Sequence, residues 1–205
     1  DALDRSTYTV NARHIVNATG AWAQGLDDSV RLAPSRGSHV VVRSELLGNP
    51  SAALMVPVPG TIGRYVFALP QSEGLTFIGL TDVPISGPVP RQTSATQEEI
   101  DWILATISPW LERDLERADV LGSFAGIRPL ASPAAGSAHD TGADISRRHG
   151  VRDHGDGRLT VTGGKLTTYR RMAQDVVDLI TDVPCRTSRI AVVGAAADRG
   201  LTAVD

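Results

Sequence analysis

The sequence contains little cysteine, little lysine and no long apolar run. Cys185 is the only cysteine among 205 residues, which excludes an internal disulfide framework and a cysteine-rich zinc site and indicates a reducing compartment. No segment approaches the roughly 18 consecutive apolar residues that a membrane-spanning helix needs. A net charge of −3 gives no electrostatic case for nucleic-acid binding. The histidines have no metal-ligand spacing to acidic or cysteine partners, so no metal site is predicted.

Almost all the basic residues of the chain are arginines. Nineteen of the 20 basic residues are arginine, and Lys165 is the only lysine. A genome bias toward GC-rich codons explains the arginines. Under that bias the one remaining lysine is either kept for its chemistry or a chance survivor, and its neighbours must decide between the two.

The order of strand-like and helix-like segments predicts an α+β fold. Hairpin-like strands followed by a helix, a strand and a second helix suit an antiparallel or mixed sheet with helices on one face. Gly37 is predicted to break two strands, the prolines near residues 53–58 indicate an edge strand or a strand end there, and residues 83–90 are predicted to be loop. The predicted strands cover residues 13–18 (short and buried), 32–36, 39–42, 53–58, 64–69, 75–80 (after a hairpin turn at 71–74), 120–130 and 159–162.

Two helices are predicted. Thr96 and Glu99 have the spacing of a capping box, in which the hydroxyl accepts from a free amide and the carboxylate reaches back. The helix that follows carries one apolar face and ends near Pro109. A second helix is predicted over residues 165–180. The apolar face of the first is formed by Ile100, Ile103, Leu104 and Ile107.

A glycine turn before the second helix is the strongest local signal for binding. Gly163 and Gly164 follow a predicted strand, so a ligand can approach the backbone there. The first turn of the helix offers unpaired N–H groups and the positive end of its dipole, which suit an anion or an electron-rich ring edge. Lys165 adds a positive charge. The alternative is a plain tight turn with threonine caps.

Arg128 stands in an otherwise apolar predicted strand. A buried arginine must be paired or bound to an anion, so the alternatives are a structural ion pair and an anion site. A second basic cluster contains Arg147, for which a solvated loop is the alternative. Together with Lys165, these arginines could form a phosphate or carboxylate clamp, since arginine binds such anions through two parallel hydrogen bonds.

Two weaker signals remain. Residues 17–22 form a strand followed by a glycine turn, similar in character to the turn at Gly163. His39 lies at the start of a predicted strand. A lone histidine is more often structural than catalytic, but its ordinary pKa near neutrality suits proton transfer.

Taken in order, five segments resemble the FAD-dependent, quinone-linked glycerol-3-phosphate dehydrogenases of the aerobic type. The segment GGKLTTYR is the most specific, whereas the turn NATG is common to many flavoproteins of the D-amino acid oxidase type. The resemblance spans nearly the whole chain. The matching segments are residues 15–22 (IVNATGAW), 36–42 (RGSHVVV), 78–82 (IGLTD), 125–130 (AGIRPL) and 163–170 (GGKLTTYR).

The resemblance implies a fold, a reaction and roles for particular residues. The fold would be the mixed or antiparallel substrate-domain sheet of a D-amino acid oxidase-like flavoprotein, with partial FAD-domain segments. The reaction would oxidise sn-glycerol 3-phosphate to dihydroxyacetone phosphate, with hydride transfer to FAD and electrons passed to a quinone. Arg128, Arg147 and Lys165 would bind substrate, and His39, Arg128 and Lys165 would be catalytic, with His39 as the proton acceptor. The FAD would be contacted by Ala18, Thr19, Gly20, Gly164, Lys165, Leu166 and Thr167.

The resemblance also has gaps. The family's N-terminal dinucleotide-binding motif and its C-terminal helical domain are not found in this sequence. We therefore expect a fragment: residues 1–35 as a partial FAD-domain segment, 36–130 as the substrate-binding sheet, 131–183 as a return to the FAD domain, and 184–205 as a tail. The parent enzyme is expected in the cytoplasm, peripherally attached to the cytoplasmic membrane, and a homodimer is a further expectation.

Two other functions stay open at this point. One is a related FAD-dependent amine or amino-acid oxidase, which would favour a carboxylate clamp and has less need of three cations. The other is a non-catalytic domain that retains the fold, for which the missing nucleotide motif is the main support.

The missing dinucleotide motif leads to a first prediction. We expect the freshly purified 205-residue chain to be colourless and inactive alone, because the pyrophosphate and adenosine supply much of the affinity for FAD. An absorption spectrum of the pure protein checks this. A stoichiometric flavin band in the visible range would contradict it.

Overall fold

The computed structural model describes residues 3–130 and 148–194, which form two sheets and two α-helices. The helices are α1 (Gln97–Ile107) and α2 (Tyr169–Val177). Short 3₁₀ turns cover Gly20–Gly25, Ser44–Leu47, Ser72–Gly74, Ser108–Trp110, Arg117–Asp119, Leu166–Thr168 and Thr187–Arg189. The strands are β1 (Ile15–Asn17), β2 (Ser35–Arg43), β3 (Leu54–Pro57), β4 (Tyr65–Pro70), β5 (Leu75–Gly79), β6 (Val83–Pro84), β7 (Gly122–Arg128), β8 (Gly150–Asp153) and β9 (Arg158–Thr162).

The larger sheet is antiparallel and is organised around β2. Its order is β3-β4-β5-β2-β6, and β7 also pairs with β2. Because β6 and β7 both pair with residues 35–36 of β2, they must lie on opposite edges of that strand. The hairpin predicted at residues 71–74 joins β4 to β5, and β3 is an edge strand as its prolines predicted.

Helix α1 covers one face of the larger sheet, which confirms the predicted α+β class. Its capping box is present, since Glu99 N donates to Thr96 Oγ1 (3.3 Å) and Thr96 N donates to Glu99 Oε2 (3.0 Å). The predicted apolar face of α1 is buried. No helix of the described residues is long and apolar enough to span a membrane. The core consists of Val40, Val42, Val56, Val66, Ala68 and Ile78 from the strands, Ile100, Ile103, Leu104 and Ile107 from α1, and Leu115.

Several predicted boundaries were wrong. Gly37 does not break a strand: β2 runs through it from Ser35 to Arg43, because neighbouring strands on both edges supply its ladder partners. Residues 83–90 were predicted as loop, but β6 lies at their start and pairs with β2. The strand predicted as buried at residues 13–18 is exposed: the exposed fractions of Ile15 and Val16 are 60% and 40%.

The smaller sheet has the order β1-β9-β8, with β1 parallel and β8 antiparallel to β9. Helix α2 packs on it through Val176 and Met172, which contact Leu159 and Val161. Strand β8 was missed because its residues are mostly polar, and the second helix begins with the 3₁₀ turn at Leu166–Thr168 and ends before the predicted residue 180. The division of the chain into four parts stays a prediction.

A buried carboxylate ties the segment after β1 to the smaller sheet. Asp27 Oδ2 accepts from Thr160 Oγ1 (2.6 Å) and lies 2.9 Å from His154 Nε2, while Asp27 Oδ1 accepts from Ser29 Oγ (2.6 Å). The hydrogen bonds from Ser29 and Thr160 hold the pKa of Asp27 far below its usual range. The ionised form is thus favoured in the folded chain.

We predict that Asp27→Asn lowers the melting temperature at pH 7 and that the difference from wild type shrinks below about pH 4. A carboxyl whose pKa is depressed by folding stabilises the fold above its unfolded pKa and loses that effect as pH falls through the folded value. Thermal unfolding of both proteins between pH 2 and pH 8 measures this, with the exposed neighbour Asp28→Asn as the control. A difference that does not change with pH would contradict the assignment.

Candidate active site

The larger sheet brings two predicted site residues to one face. Val40 and Val42 of β2 point toward α1, so by strand alternation His39 and Gly37 lie on the opposite face. Strand β7 pairs with β2 in a register that sets Phe124 opposite His39 and Arg128 opposite Ser35. His39 and Arg128 are 89 positions apart in sequence and become neighbours through this pairing.

The His39 ring is enclosed by aromatic and glycine neighbours. It stacks on Phe124, with ring centroids 4.8 Å apart and an interplanar angle of 8°, and Phe77 meets Phe124 edge-on. A Cβ on Gly79 would lie 2.4 Å from His39 Cδ2, so only glycine leaves room for the ring. Burial, and then the positive charge of Arg128, lower the pKa of His39. The ring is therefore neutral near pH 7 and able to accept a proton.

His39 also contains an unsatisfied polar atom. Among the described residues, its Nδ1 is buried and has no hydrogen-bond partner. Buried polar atoms are normally satisfied, and exceptions concentrate where a protein does chemistry. This ring is thus a better candidate for proton transfer than its sequence position alone indicated.

Arg128 is paired, as the sequence required of an arginine in an apolar strand. Its Nη2 donates to the Thr81 carbonyl oxygen (3.0 Å), and its Nη1 lies 3.4 Å from both Asp82 Oδ1 and Ser35 Oγ. The guanidinium lies over Gly37, where a Cβ would come within 2.1 Å of Nη2. Its side chain keeps 23% exposure, so it can also bind an anion.

A cavity of about 910 Å³ opens beside this arginine. Its lining includes Arg36, Arg64, Phe67, Asp82 and Arg128. The lining also contains an apolar wall and three carboxylates, Asp82, Glu98 and Glu99, so the cavity suits a small polar molecule.

Sequence reasoning missed two residues of this face, Asp82 and Phe124. Phe124 could have been found, because it lies four positions before Arg128 in the same strand and alternation places both side chains on one face. Asp82 lies in one of the five segments that carry the resemblance, but no role was assigned to it. Its position beside Arg128 depends on the path of the chain after β5, for which the sequence carries no signal.

The predicted cofactor-binding turns meet at the smaller sheet. Strands β1 and β9 are parallel and adjacent, so the turn with Ala18, Thr19 and Gly20 lies beside the turn with Gly163 and Gly164. Ligands commonly bind at the carboxyl ends of parallel strands. Gly20 has a φ of +60° and open space around its missing side chain.

The structure explains the two glycines before α2 differently from the sequence, which predicted that they let a ligand approach the backbone. A Cβ on Gly163 would lie 2.5 Å from the carbonyl oxygen of Arg148, and a Cβ on Gly164 would lie 2.4 Å from Met172 Sδ. Both glycines also have positive φ. Close packing of strand and helix therefore accounts for them without a ligand.

Lys165, Leu166 and Thr167 are exposed at the start of the 3₁₀ turn that leads into α2. The turn is capped by Thr168, whose Oγ1 accepts from Lys165 N (3.3 Å) and donates to Lys165 O (3.0 Å). Lys165 thus belongs to the smaller sheet, whereas His39 and Arg128 belong to the larger one. Arg147 lies outside the described residues, and the three-cation clamp stays a prediction.

Comparisons with known proteins give consistent likenesses. A family model described as FAD dependent oxidoreductase (DAO) matches residues 2–170. The chain is 39% identical over 206 residues to glycerol-3-phosphate dehydrogenase 1 of Mycobacterium tuberculosis (strain H37Rv), covering 98% of this chain and 40% of that protein. It is 32% identical over 216 residues to aerobic glycerol-3-phosphate dehydrogenase of Bacillus subtilis, covering 95% of this chain and 36% of that protein.

A solved structure gives the same likeness. Glycerol-3-phosphate dehydrogenase from Bacillus halodurans complexed with FAD superimposes with a TM-score of 0.69 at 32% identity, over 88% of this chain and 35% of that one. The chain thus spans about 40% of the length of the curated relatives it matches.

The electrostatic effect of Arg128 on His39 generates a prediction. Arg128→Gln should raise the pKa of His39, because a nearby positive charge disfavours the charged imidazolium and the substitution removes it. Histidine NMR titration of the 205-residue chain measures the shift. Arg148→Gln, at an exposed arginine outside this face, is the control and should leave the pKa unchanged. An unchanged His39 pKa in Arg128→Gln would contradict the electrostatic contact.

Proposed function

Because this chain belongs to the family of FAD-dependent oxidoreductases, we propose that it is part of an enzyme that oxidises sn-glycerol 3-phosphate to dihydroxyacetone phosphate. Membership of the family confirms the resemblance noted from the sequence and the fold class of a D-amino acid oxidase-like flavoprotein. The relatives named glycerol-3-phosphate dehydrogenase support this choice of substrate.

The observation that carries the proposal is that His39 and Arg128 lie on one open face, close enough for the arginine to lower the pKa of the histidine. The substrate has a phosphate at one end and a secondary alcohol at C2. Oxidation of the alcohol needs an acceptor for the hydroxyl proton and a cation for the phosphate. A neutral histidine beside a partly exposed arginine meets both needs.

The residues present fit a flavin. Gly20 leaves open space at the carboxyl ends of parallel β1 and β9, beside the exposed turn at Leu166–Thr168. We propose that Ala18, Thr19 and Gly20, together with Gly164, Lys165, Leu166 and Thr167, contact the FAD. When bound, FAD supplies the hydride acceptor.

Different residues of the chain are proposed to bind the substrate, accept its proton and stabilise the developing charge. Arg128 binds the phosphate through two of its N–H groups and orients the substrate, with Arg147 proposed as a second cation. His39 accepts the C2 hydroxyl proton, and its lowered pKa keeps it ready to do so at neutral pH. Lys165 is proposed to stabilise negative charge that develops only as the hydride leaves, so it acts mainly in the transition state.

We extend the proposal to the electron acceptor and the location of the parent enzyme. Electrons would pass to a quinone, and the enzyme would be a homodimer at the cytoplasmic membrane surface. The support is the resemblance to the quinone-linked members of the family. Reduction of a soluble quinone analogue by glycerol 3-phosphate in the presence of the full-length enzyme tests the first point.

The full-length enzyme provides the test of function. Glycerol 3-phosphate should bleach the bound FAD under anaerobic conditions. Arg128→Ala should lower kcat/KM by roughly 30- to 900-fold, because loss of charged hydrogen bonds to phosphate costs about 2–4 kcal/mol. The exposed Arg148→Ala is the matched control and should stay near wild type.

Two outcomes would contradict the proposal. One is bleaching by glycine or another amino acid but not by glycerol 3-phosphate, which would favour the amine or amino-acid oxidase alternative, since Arg128 can also bind a carboxylate. The other is an equal loss of kcat/KM in the two arginine variants.

A further inference from the structure

Glu99 is a buried carboxylate that does more than cap α1. It is only 5% exposed, and its Oε2 serves the capping box and lies 2.8 Å from Arg36 Nε. The other oxygen, Oε1, accepts from Thr81 Oγ1 at 2.7 Å. Burial works to raise the pKa of Glu99, but the hydrogen bonds from Thr96, Thr81 and Ser38 and the charge of Arg36 together leave it lowered. Burying a charge is costly unless it is fully paired, so the bond to Thr81 is part of what makes this burial tolerable.

The side chain of Thr81 continues the hydrogen bonding of β2 beyond the end of β5. Strand β5 stops at Gly79, and the N–H of Ser38 in β2 donates instead to Thr81 Oγ1 at 3.0 Å. The Thr81 N–H is directed back at Ser38 O, at 3.4 Å. With the bond to Glu99, these contacts fix both the backbone and the side chain of a residue that is 3% exposed.

The carbonyl oxygen of Thr81 accepts a hydrogen bond from Arg128. The 3.0 Å bond from Arg128 Nη2 to Thr81 O is shorter than the 3.4 Å separations from Nη1 to Asp82 and Ser35. Asp82 and Ser35 depend on side-chain rotamers, whereas a buried backbone carbonyl cannot turn away. Two hydrogen bonds, from Thr81 to Glu99 and from Arg128 to Thr81, therefore connect the first turn of α1 with the open face of the sheet.

We propose that Thr81 is a positioning residue that, tied by Glu99, sets the orientation in which Arg128 presents its guanidinium to the substrate's phosphate. This inference rests on the proposed function, because it refines how the same arginine binds the same group. A guanidinium that binds an anion through two bonds must be oriented, so a loosened support weakens binding while the charge itself remains.

The test is a double-mutant cycle in the full-length flavoenzyme with glycerol 3-phosphate as substrate. Thr81→Val removes the hydroxyl while keeping the shape of the side chain. We expect it to lower kcat/KM about tenfold, mostly by raising KM, but less than about twofold when Arg128 is already alanine. Thr81→Ser, which keeps the hydroxyl, should stay within about twofold of wild type.

Thr106→Val is the matched control. Thr106 is also buried, and its hydroxyl donates to Trp102 O within α1 at 2.7 Å, away from Arg128. Its loss should lower the melting temperature but change kcat/KM by less than about twofold in both backgrounds. If Thr81→Val does not fold with FAD, Glu99→Gln takes its place and should show the same dependence on Arg128.

The outcomes separate the inference from the proposed function. If glycerol 3-phosphate does not reduce the wild-type enzyme, or Arg128→Ala keeps wild-type kcat/KM, the proposed function fails and the inference falls with it. If both results are as expected but Thr81→Val costs the same factor in both backgrounds, or has no effect, only the inference is overturned. If Thr81 only stabilised the fold, Thr81→Val would lower kcat/KM by the same factor with Arg128 present and with Arg128 replaced by alanine.

Discussion

The candidate site depends on the pairing of β2 with strands on both of its edges. Strand β7 sets Phe124 against His39 and Arg128 against Ser35, and β5 sets Gly79 against His39 on the other side. Because side chains alternate along a strand, a slip of one residue would turn Arg128 toward α1 and away from His39. Val40 and Val42 of β2 pack under α1 and so fix which face of β2 carries His39.

Charges within the fold are compensated across the sheet. Arg36 and Glu99 pair on the side of α1, while Arg128 and Asp82 pair on the open side. Thr81 lies between the two pairs and bonds to one member of each. This arrangement holds Arg128 beside His39, whose pKa is lowered first by burial and then by the charge of Arg128.

The proposed cofactor contacts and the proposed substrate contacts lie on different sheets. The parallel pair β1 and β9 brings the turn at Ala18–Gly20 beside the turn at Gly163, whereas His39 and Arg128 lie on the antiparallel sheet. In the proposed function, the FAD and the substrate would therefore be held by separate elements of the fold. Phe124, which stacks on His39, is 43% exposed and leaves an apolar surface on the open face of the larger sheet.

By itself the sequence determined the elements whose signals are local. The capping box at Thr96, the apolar face of α1, the edge position of β3 and the need of Arg128 for a partner all follow from spacing and side-chain chemistry. Only the tertiary structure decided which strands flank Gly37, why Gly163 and Gly164 are glycines, and that Thr81 and Asp82 meet Arg128. The contacts of Arg128 with Thr81 and Asp82 span more than 40 positions. All of these contacts depend on strand register and close packing, which no local pattern encodes.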